Sequence, residues 1–257
     1  NRFLLRLRQL QSDCDVMTVM ADLKRRHQSV EDLGIPNYFG PQRFGYQGNN
    51  LRFGLADLAS GKRIAKNKRS IYLSALRSWP FNQLLSYRLK HDLWKKLLTG
   101  DVLNLQGSHK WFQEDQSDAL AQRVESGDLH ITGPLLGEDE SPVKSKAQEL
   151  ESLLYQEFDQ YVEVLKKARV KNDRRSLCLL PKQLKVQLID CQEPTPSLDS
   201  IFTDVNKGEN YSQSYPQVVN LSEMDLLVSF ELPAGSYATM VLRELISVTE
   251  ASHSNRE

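Results

Sequence analysis

Cysteine is scarce in these 257 residues, with three only, at Cys14, Cys178 and Cys191. An odd number at wide spacing is not a disulfide framework. Without a CxxC pair there is neither a zinc ribbon nor a dithiol redox site. The five histidines (His27, His91, His109, His130, His253) form no HExxH or HxxxH pair, so no bound metal is expected. A reducing, cytoplasmic setting fits this usage. Long apolar runs are missing too. Mean hydropathy is −0.49, and no stretch approaches the roughly 20 apolar residues of a membrane helix. No membrane association is expected, and no basic–apolar–small leader pattern supports secretion. There is no Met ahead of Asn1-Arg2-Phe3, so the expectation is either processing or a longer protein shown in part. Finally, charge of one sign is lacking: 33 Lys+Arg balance 33 Asp+Glu. Nucleic-acid binders usually carry a basic excess, but a sum says nothing about distribution.

What is present describes a folded protein. Hydrophobic residues make up 40% and charged residues 26%, enough for a core and too apolar for global disorder. The length fits one large domain or two modest ones.

Residues 1–9 alternate in part, with Phe3, Leu5 and Leu7 on one face and Arg2, Arg6 and Arg8 on the other. That pattern predicts a half-buried strand. Val16, Met17, Val19, Met20, Leu23 and Val30 recur at helical spacing, which predicts an amphipathic helix over 15–32. Next comes GIPNYFGPQRFGYQGNN, 34–50. Its glycines and prolines exclude a helix, yet Tyr38, Phe39, Phe44 and Tyr46 exclude a flexible linker. A shaped loop whose rings pack or stack is expected. It is not a dinucleotide fingerprint, because no GxGxxG occurs.

Residues 51–175 read as mostly helical. The clearest helix is 70–90, in which Pro80 should kink or divide the element. Further helices are predicted over 115–126 and 147–169, separated by a turn-rich stretch at 127–144. Alternation predicts a strand at 184–190, and 225–231 reads as another strand. Between them, 192–220 is rich in Pro, Ser, Gln and Asn and reads as a long, poorly ordered loop. LPAGSYATMVLRELI, 232–246, passes from a turn into a helix that starts near Gly235 or Ser236. No internal repeat is visible.

The balanced charge is unevenly placed. Lys62, Arg63, Lys66, Lys68 and Arg69 fall within nine residues, and Lys166, Lys167, Arg169, Lys171, Arg174 and Arg175 within ten. The acids gather elsewhere, at Glu138, Asp139, Glu140, Glu149, Glu151, Glu157 and Asp159. A neutral chain can therefore carry a positive face that holds phosphates. A solvated helix surface is the plainer reading of either cluster. Two clusters flanking an aromatic-rich region favour RNA, which is gripped by cations and by rings that stack on unpaired bases.

Three segments together, GIPNYFGPQRFG (34–45), NKRSIYLSALRSWPFNQLL (67–85) and LPAGSYATMVLREL (232–245), resemble the signature blocks of the tRNA pseudouridine synthase D (TruD) family. NRFLLRLR resembles the strand of that family that begins with Asn, one residue, then Phe. The blocks stand in the family's order, and the similarity runs from residue 1 to about residue 247. The resemblance implies an isomerase that converts a specific uridine of tRNA, position 13 in the bacterial branch, to pseudouridine without cofactor or metal. It implies an α+β fold, in which a catalytic domain with a mixed or antiparallel sheet (1–33 and 180–257) is interrupted by a mostly helical insertion (34–179). The partner it implies is tRNA, and no obligate protein partner is expected.

The family's catalytic Asp lies in a Gly-x-Lys-Asp motif upstream of the strand that opens here. None of the Asp residues in this sequence is preceded by Lys. No catalytic residue is therefore assigned within it. The Asp and its cationic partner are expected in a missing N-terminal segment. The resemblance carries over Asn1 as a polar contact near that carboxylate and Phe3 as pocket wall, with an ordinary core ring as the alternative for Phe3. Tyr237 stands where many members have Phe, and keeps a ring face for stacking on the flipped uracil. Packing at a helix start is its alternative. Arg243 is expected either to contact phosphate or to brace the sheet. Gln42 and Arg43 line the tRNA cleft or form a hinge. Lys68, Arg69 and Arg77 are weaker candidates for backbone phosphate, and Trp79 and Phe81 are core. The stretch 190–222 looks longer than the family's and reads as a local insertion. A non-catalytic RNA-binding module that keeps only a docking surface is the competing reading, and a plain helical scaffold a third.

Overall fold

The computed structural model describes residues 1–108, 110–113, 117–203 and 220–247. In chain order the elements are β1 (Arg2–Leu7), α1 (Val16–Leu33), β2 (Ile35–Pro36), α2 (Asn49–Ala59), α3 (Lys66–Lys90), β3 (Leu103–Leu105), β4 (Trp111–Phe112), α4 (Asp118–Glu125), β5 (Leu129–Leu135), α5 (Ser145–Glu157), α6 (Asp159–Lys167), β6 (Asp173–Ser176), β7 (Cys178–Leu179), β8 (Lys182–Asp190), α7 (Leu198–Thr203), β9 (Met224–Glu231) and α8 (Ala238–Leu245). The chain divides into two compact units, Asn1–Ile35 with Leu180–Glu257, and Pro36–Leu179.

The first unit is built on an antiparallel sheet in the order β1-β9-β8. The alternation of β1 holds: Phe3, Leu5 and Leu7 register with Phe230, Val228 and Leu226, and β8 adds Val186 and Leu188 to the same face. All five of these partner residues are buried. Helix α1 starts at Asp15, whose carboxylate accepts from the Thr18 N–H and hydroxyl. It ends at Gly34, in the left-handed region at φ 70°, as helix C-termini commonly do. Its His27 ring Nε2–H donates to the Leu184 carbonyl at 3.0 Å, beside the register shift between Lys182 and Lys185. On the opposite sheet face, the stretch read as a loop contains α7. Phe202 is buried there under the Arg2 guanidinium, 5.1 Å from its ring centre, and Lys185 Nζ donates to the Ile201 carbonyl. The rest of the predicted loop, 204–219, lies outside the described residues.

The second unit is dominated by α3. This 25-residue helix runs undivided through Pro80, where a kink or a division was expected. Proline costs about 3 kcal/mol within a helix. Here Leu76, Phe81, Leu84 and Leu85, each 1% exposed or less, hold both halves in one core. The predicted helix over 147–169 is two helices, because Phe158 at φ −109° and ψ 32° breaks it between α5 and α6. Its ring turns into the core with Leu154, Val162 and Leu165. Helices predominate, but this unit also holds an antiparallel sheet in the order β4-β3-β5-β6. Its longest strand, β5, falls where turns were expected. Leu129, His130, Ile131 and Thr132 are buried in succession. A strand covered on both faces shows no alternation for a sequence reading to detect.

Candidate functional site

Four candidate residues belong to the first unit, and three of them gather at one end of its sheet. The Asn1 carbonyl accepts from the Leu232 N–H at 2.9 Å, extending the β1–β9 ladder by one step. Phe3 stacks on fully buried Phe230 with ring centres 5.4 Å apart. Beyond Leu232 the chain turns through Pro233–Ser236, closed by the Ser236 N–H to Pro233 carbonyl bond. Gly235, at φ 81°, supplies the positive φ of a type II turn. That turn delivers Tyr237 to the N-cap of α8, half-buried and with no capping bond from its side chain. Helix α8 buries Met240, Val241, Leu242 and Leu245. Arg243 is exposed on its last turn, 3.9 Å from Glu244.

A residue missed in the sequence lies on the other sheet face. Arg6, assigned by alternation to the solvent side, is only 10% exposed. Its guanidinium donates to the Asp225 carboxylate, to the carbonyls of Asp190, Cys191 and Glu193, and to the Thr195 hydroxyl. It therefore pins the turn that leads into α7. Charge in an alternating strand signals a water-facing side only until another segment covers that side.

The remaining candidates belong to the second unit. Gln42 is exposed on the 3-10 turn Pro41–Phe44. Arg43 donates to the Ser74 hydroxyl at 2.6 Å and lies over the Phe39 ring. Arg175 also lies over Phe39, 4.2 Å from the ring centre, and donates to the Asn37 carbonyl and side chain. Phe39 itself is buried edge-on against Phe81. Lys68 and Arg69 are exposed, with Lys68 Nζ 5.4 Å from the Tyr72 ring centre. Arg77 donates to three carbonyls, those of Leu135, Leu136 and Lys171, so its guanidinium braces the exit of β5 rather than presenting itself to phosphate.

The second basic cluster resolves in the same direction. Arg174 is buried, paired with Glu151 at 2.6 Å and bonded to Thr132, and Arg175 is taken up by Asn37 and Phe39. Only Lys166, Lys167, Arg169 and Lys171 of that run face water. The cluster 62–69 stays exposed throughout its cations. Among the described residues no group of three or more His, Cys, Asp or Glu could hold a metal ion, and no helix is long and apolar enough to cross a membrane.

The profile of tRNA pseudouridine synthase D (TruD) matches residues 57–245. The tRNA pseudouridine synthase D of Hydrogenovibrio crunogenus is 36% identical over 250 residues, which is 96% of this chain and 61% of that protein. The enzyme of the same name from Aeromonas hydrophila is 38% identical over 259 residues, 100% of this chain and 62% of its own length. The chain thus spans about three fifths of the curated relatives it matches. A crystal structure from Methanosarcina mazei, provisionally named as a tRNA pseudouridine synthase D, superposes with a TM-score of 0.58 at 18% identity, covering 96% of this chain and 68% of that one. At that identity it shows the α+β fold alone. On the profile match and the relatives together, this chain belongs to the tRNA pseudouridine synthase D (TruD) family.

Proposed function

We propose that this chain supplies the RNA-gripping unit and most of the pocket of a tRNA pseudouridine synthase that isomerises one uridine, at position 13 by family resemblance. The observation that carries the reading is the convergence of Asn1, Phe3 and the turn before Tyr237 at one sheet end, in a chain belonging to this family. The target base is first turned out of the RNA stack. Tyr237 holds its face by stacking, and Phe3 walls the pocket beside it. A carboxylate then acts at sugar or base. The C1′–N1 bond breaks, the uracil rotates, C1′ bonds to C5, the C5 proton is lost to solvent and N1 takes up a proton, so atoms balance without a redox partner. The carboxylate is the Asp of a Gly-x-Lys-Asp motif outside these 257 residues, and a cation near it keeps it ionised in a closed pocket. Asn1 reaches toward it. Lys68, Arg69 and Arg243 meet tRNA phosphates, and Gln42 and Arg43 line the cleft. With tRNA as substrate, the protein works in the cytoplasm.

The test is genetic. Deleting the gene should remove a single pseudouridine from the affected tRNAs, and the complete gene should restore it. A full complement of tRNA pseudouridines in the deletion strain would reject the reading.

A further inference from the structure

Of the four rings in 34–50, three have partners. Phe39 packs on Phe81, Phe44 packs edge-on against Trp79 at 5.3 Å, and the Tyr38 hydroxyl meets Ser86 at 3.0 Å. Tyr46 is different. It is 80% exposed, and among the described residues its hydroxyl accepts only from the neighbouring Gln47 amide at 3.3 Å.

The loop that carries it is nonetheless tightly specified. Gly45, Gln47 and Gly48 all hold positive φ, at 74°, 51° and 73°. A glutamine in that region is uncommon and persists only where the surroundings over-determine it. The Asn50 amide donates to the Arg43 carbonyl at 3.2 Å. A Cβ on Gly45 would come within 2.9 Å of the Asn50 side chain. A large ring is therefore displayed on a fixed turn, which lowers the entropy lost when a partner orders it.

The surface beside it is cationic. Between residues 43 and 69 stand seven Lys or Arg and one acid, Asp57, which is paired with Lys62 at 3.2 Å. Arg52, Lys62, Arg63, Lys66, Lys68 and Arg69 are exposed. Helices α2 and α3 pack closely at Gly54, where a Cβ would touch the Tyr72 ring at 3.1 Å. The α2–α3 hairpin thus has Tyr46 at one end and the start of α3 at the other, about 16 Å apart by helix rise.

A displayed ring matches a planar group with a free face, and a row of cations matches a polyanion. Unpaired RNA offers both on one strand. We infer that Tyr46 stacks on an unpaired base in a loop of the bound tRNA, away from the reacting uridine, while Lys66, Lys68 and Arg69 hold phosphates of the same RNA. This rests on the tRNA reading above and adds a second contact to it.

Filter binding of end-labelled tRNA to the full-length protein across a salt series tests it. Tyr46→Ala should weaken binding about 5- to 150-fold at fixed salt, the range for loss of one base stack. It should leave the salt slope unchanged, since no charge is lost. Tyr46→Phe should stay within about twofold of wild type. Replacing Lys66, Lys68 and Arg69 together by Ala should lower the slope of log K against log salt by about 2 to 3. Wild-type affinity in Tyr46→Ala, or equal loss in Tyr46→Phe, overturns the stacking role. An unchanged slope in the triple variant overturns the phosphate role. Wild-type protein that binds no tRNA would reject the proposed function itself. Wild-type protein that binds and isomerises while Tyr46→Ala matches it rejects this inference alone.

Discussion

At the scale of single residues, the sequence located rings better than it located cations. Phe3, Tyr237, Phe81 and Trp79 occupy strand, helix-cap and core positions that can be read from pattern. Arg6, Arg77, Arg174 and Arg175 were all assigned to surfaces, yet their guanidiniums are spent on carbonyls and carboxylates inside the fold. One arginine can satisfy several backbone acceptors at once, and those acceptors are known only after the chain has folded. Two predictions belong here. Tyr237→Ala in the full-length protein should lower kcat/KM for tRNA about 5- to 150-fold, the weight of a lost base stack, while Tyr237→Phe changes it little; steady-state tritium release distinguishes the two. Arg6→Met should destabilise the first unit by about 2–4 kcal/mol, because it leaves the buried Asp225 carboxylate with the largely exposed Arg8, 3.9 Å away, in place of its close partner. Urea unfolding measures this, and Asp225→Asn in the same protein should return part of the loss.

Among the elements, periodicity found β1, α1 and β8, and β9 was legible as a strand although Asp225 to Phe230 are buried in succession. Periodicity misplaced β5 and the break between α5 and α6. β5 is covered on both faces, so its apolar run looked like loop between turns. The 147–169 helix was read as one because the pattern stays in phase across Phe158, where the backbone breaks. β5 and its exit carry two further predictions. A methyl on Gly137 would meet backbone atoms, the Val170 oxygen at 2.4 Å and the Asn172 nitrogen at 2.5 Å, which cannot swing aside. Gly137→Ala should therefore cost about 1–3 kcal/mol and lower the melting temperature of the second unit. On β5 itself, burial pushes the His130 imidazole below its ordinary value of 6.5, with Lys95 adding to the shift. Its ring donates to Gln106 at 2.5 Å. Below pH 6.5 the unfolded chain takes up a proton that the folded chain resists. Stability should accordingly fall as pH drops from 6.5 toward the depressed folded value. His130→Gln should flatten that part of a pH series of thermal melts.

For the whole molecule, net charge was the least informative number. The zero sum conceals one cationic surface, 62–69, that stays exposed. In the other basic run, Arg174 and Arg175 turn inward. The family was legible from the blocks, and the profile match over residues 57–245 with relatives 36–38% identical along the chain bears it out. No Asp follows a Lys anywhere in these residues, so the Gly-x-Lys-Asp motif that the resemblance calls for is not among them. The central claim is that this chain completes a pocket whose reacting group lies outside it. Tritium release from C5-labelled tRNA tests that most directly, with the 257-residue chain compared against a longer protein that carries the Gly-x-Lys-Asp motif. Release is predicted from the longer protein alone, and abolished there by changing that Asp to Asn. Release from the 257-residue chain by itself would contradict the account.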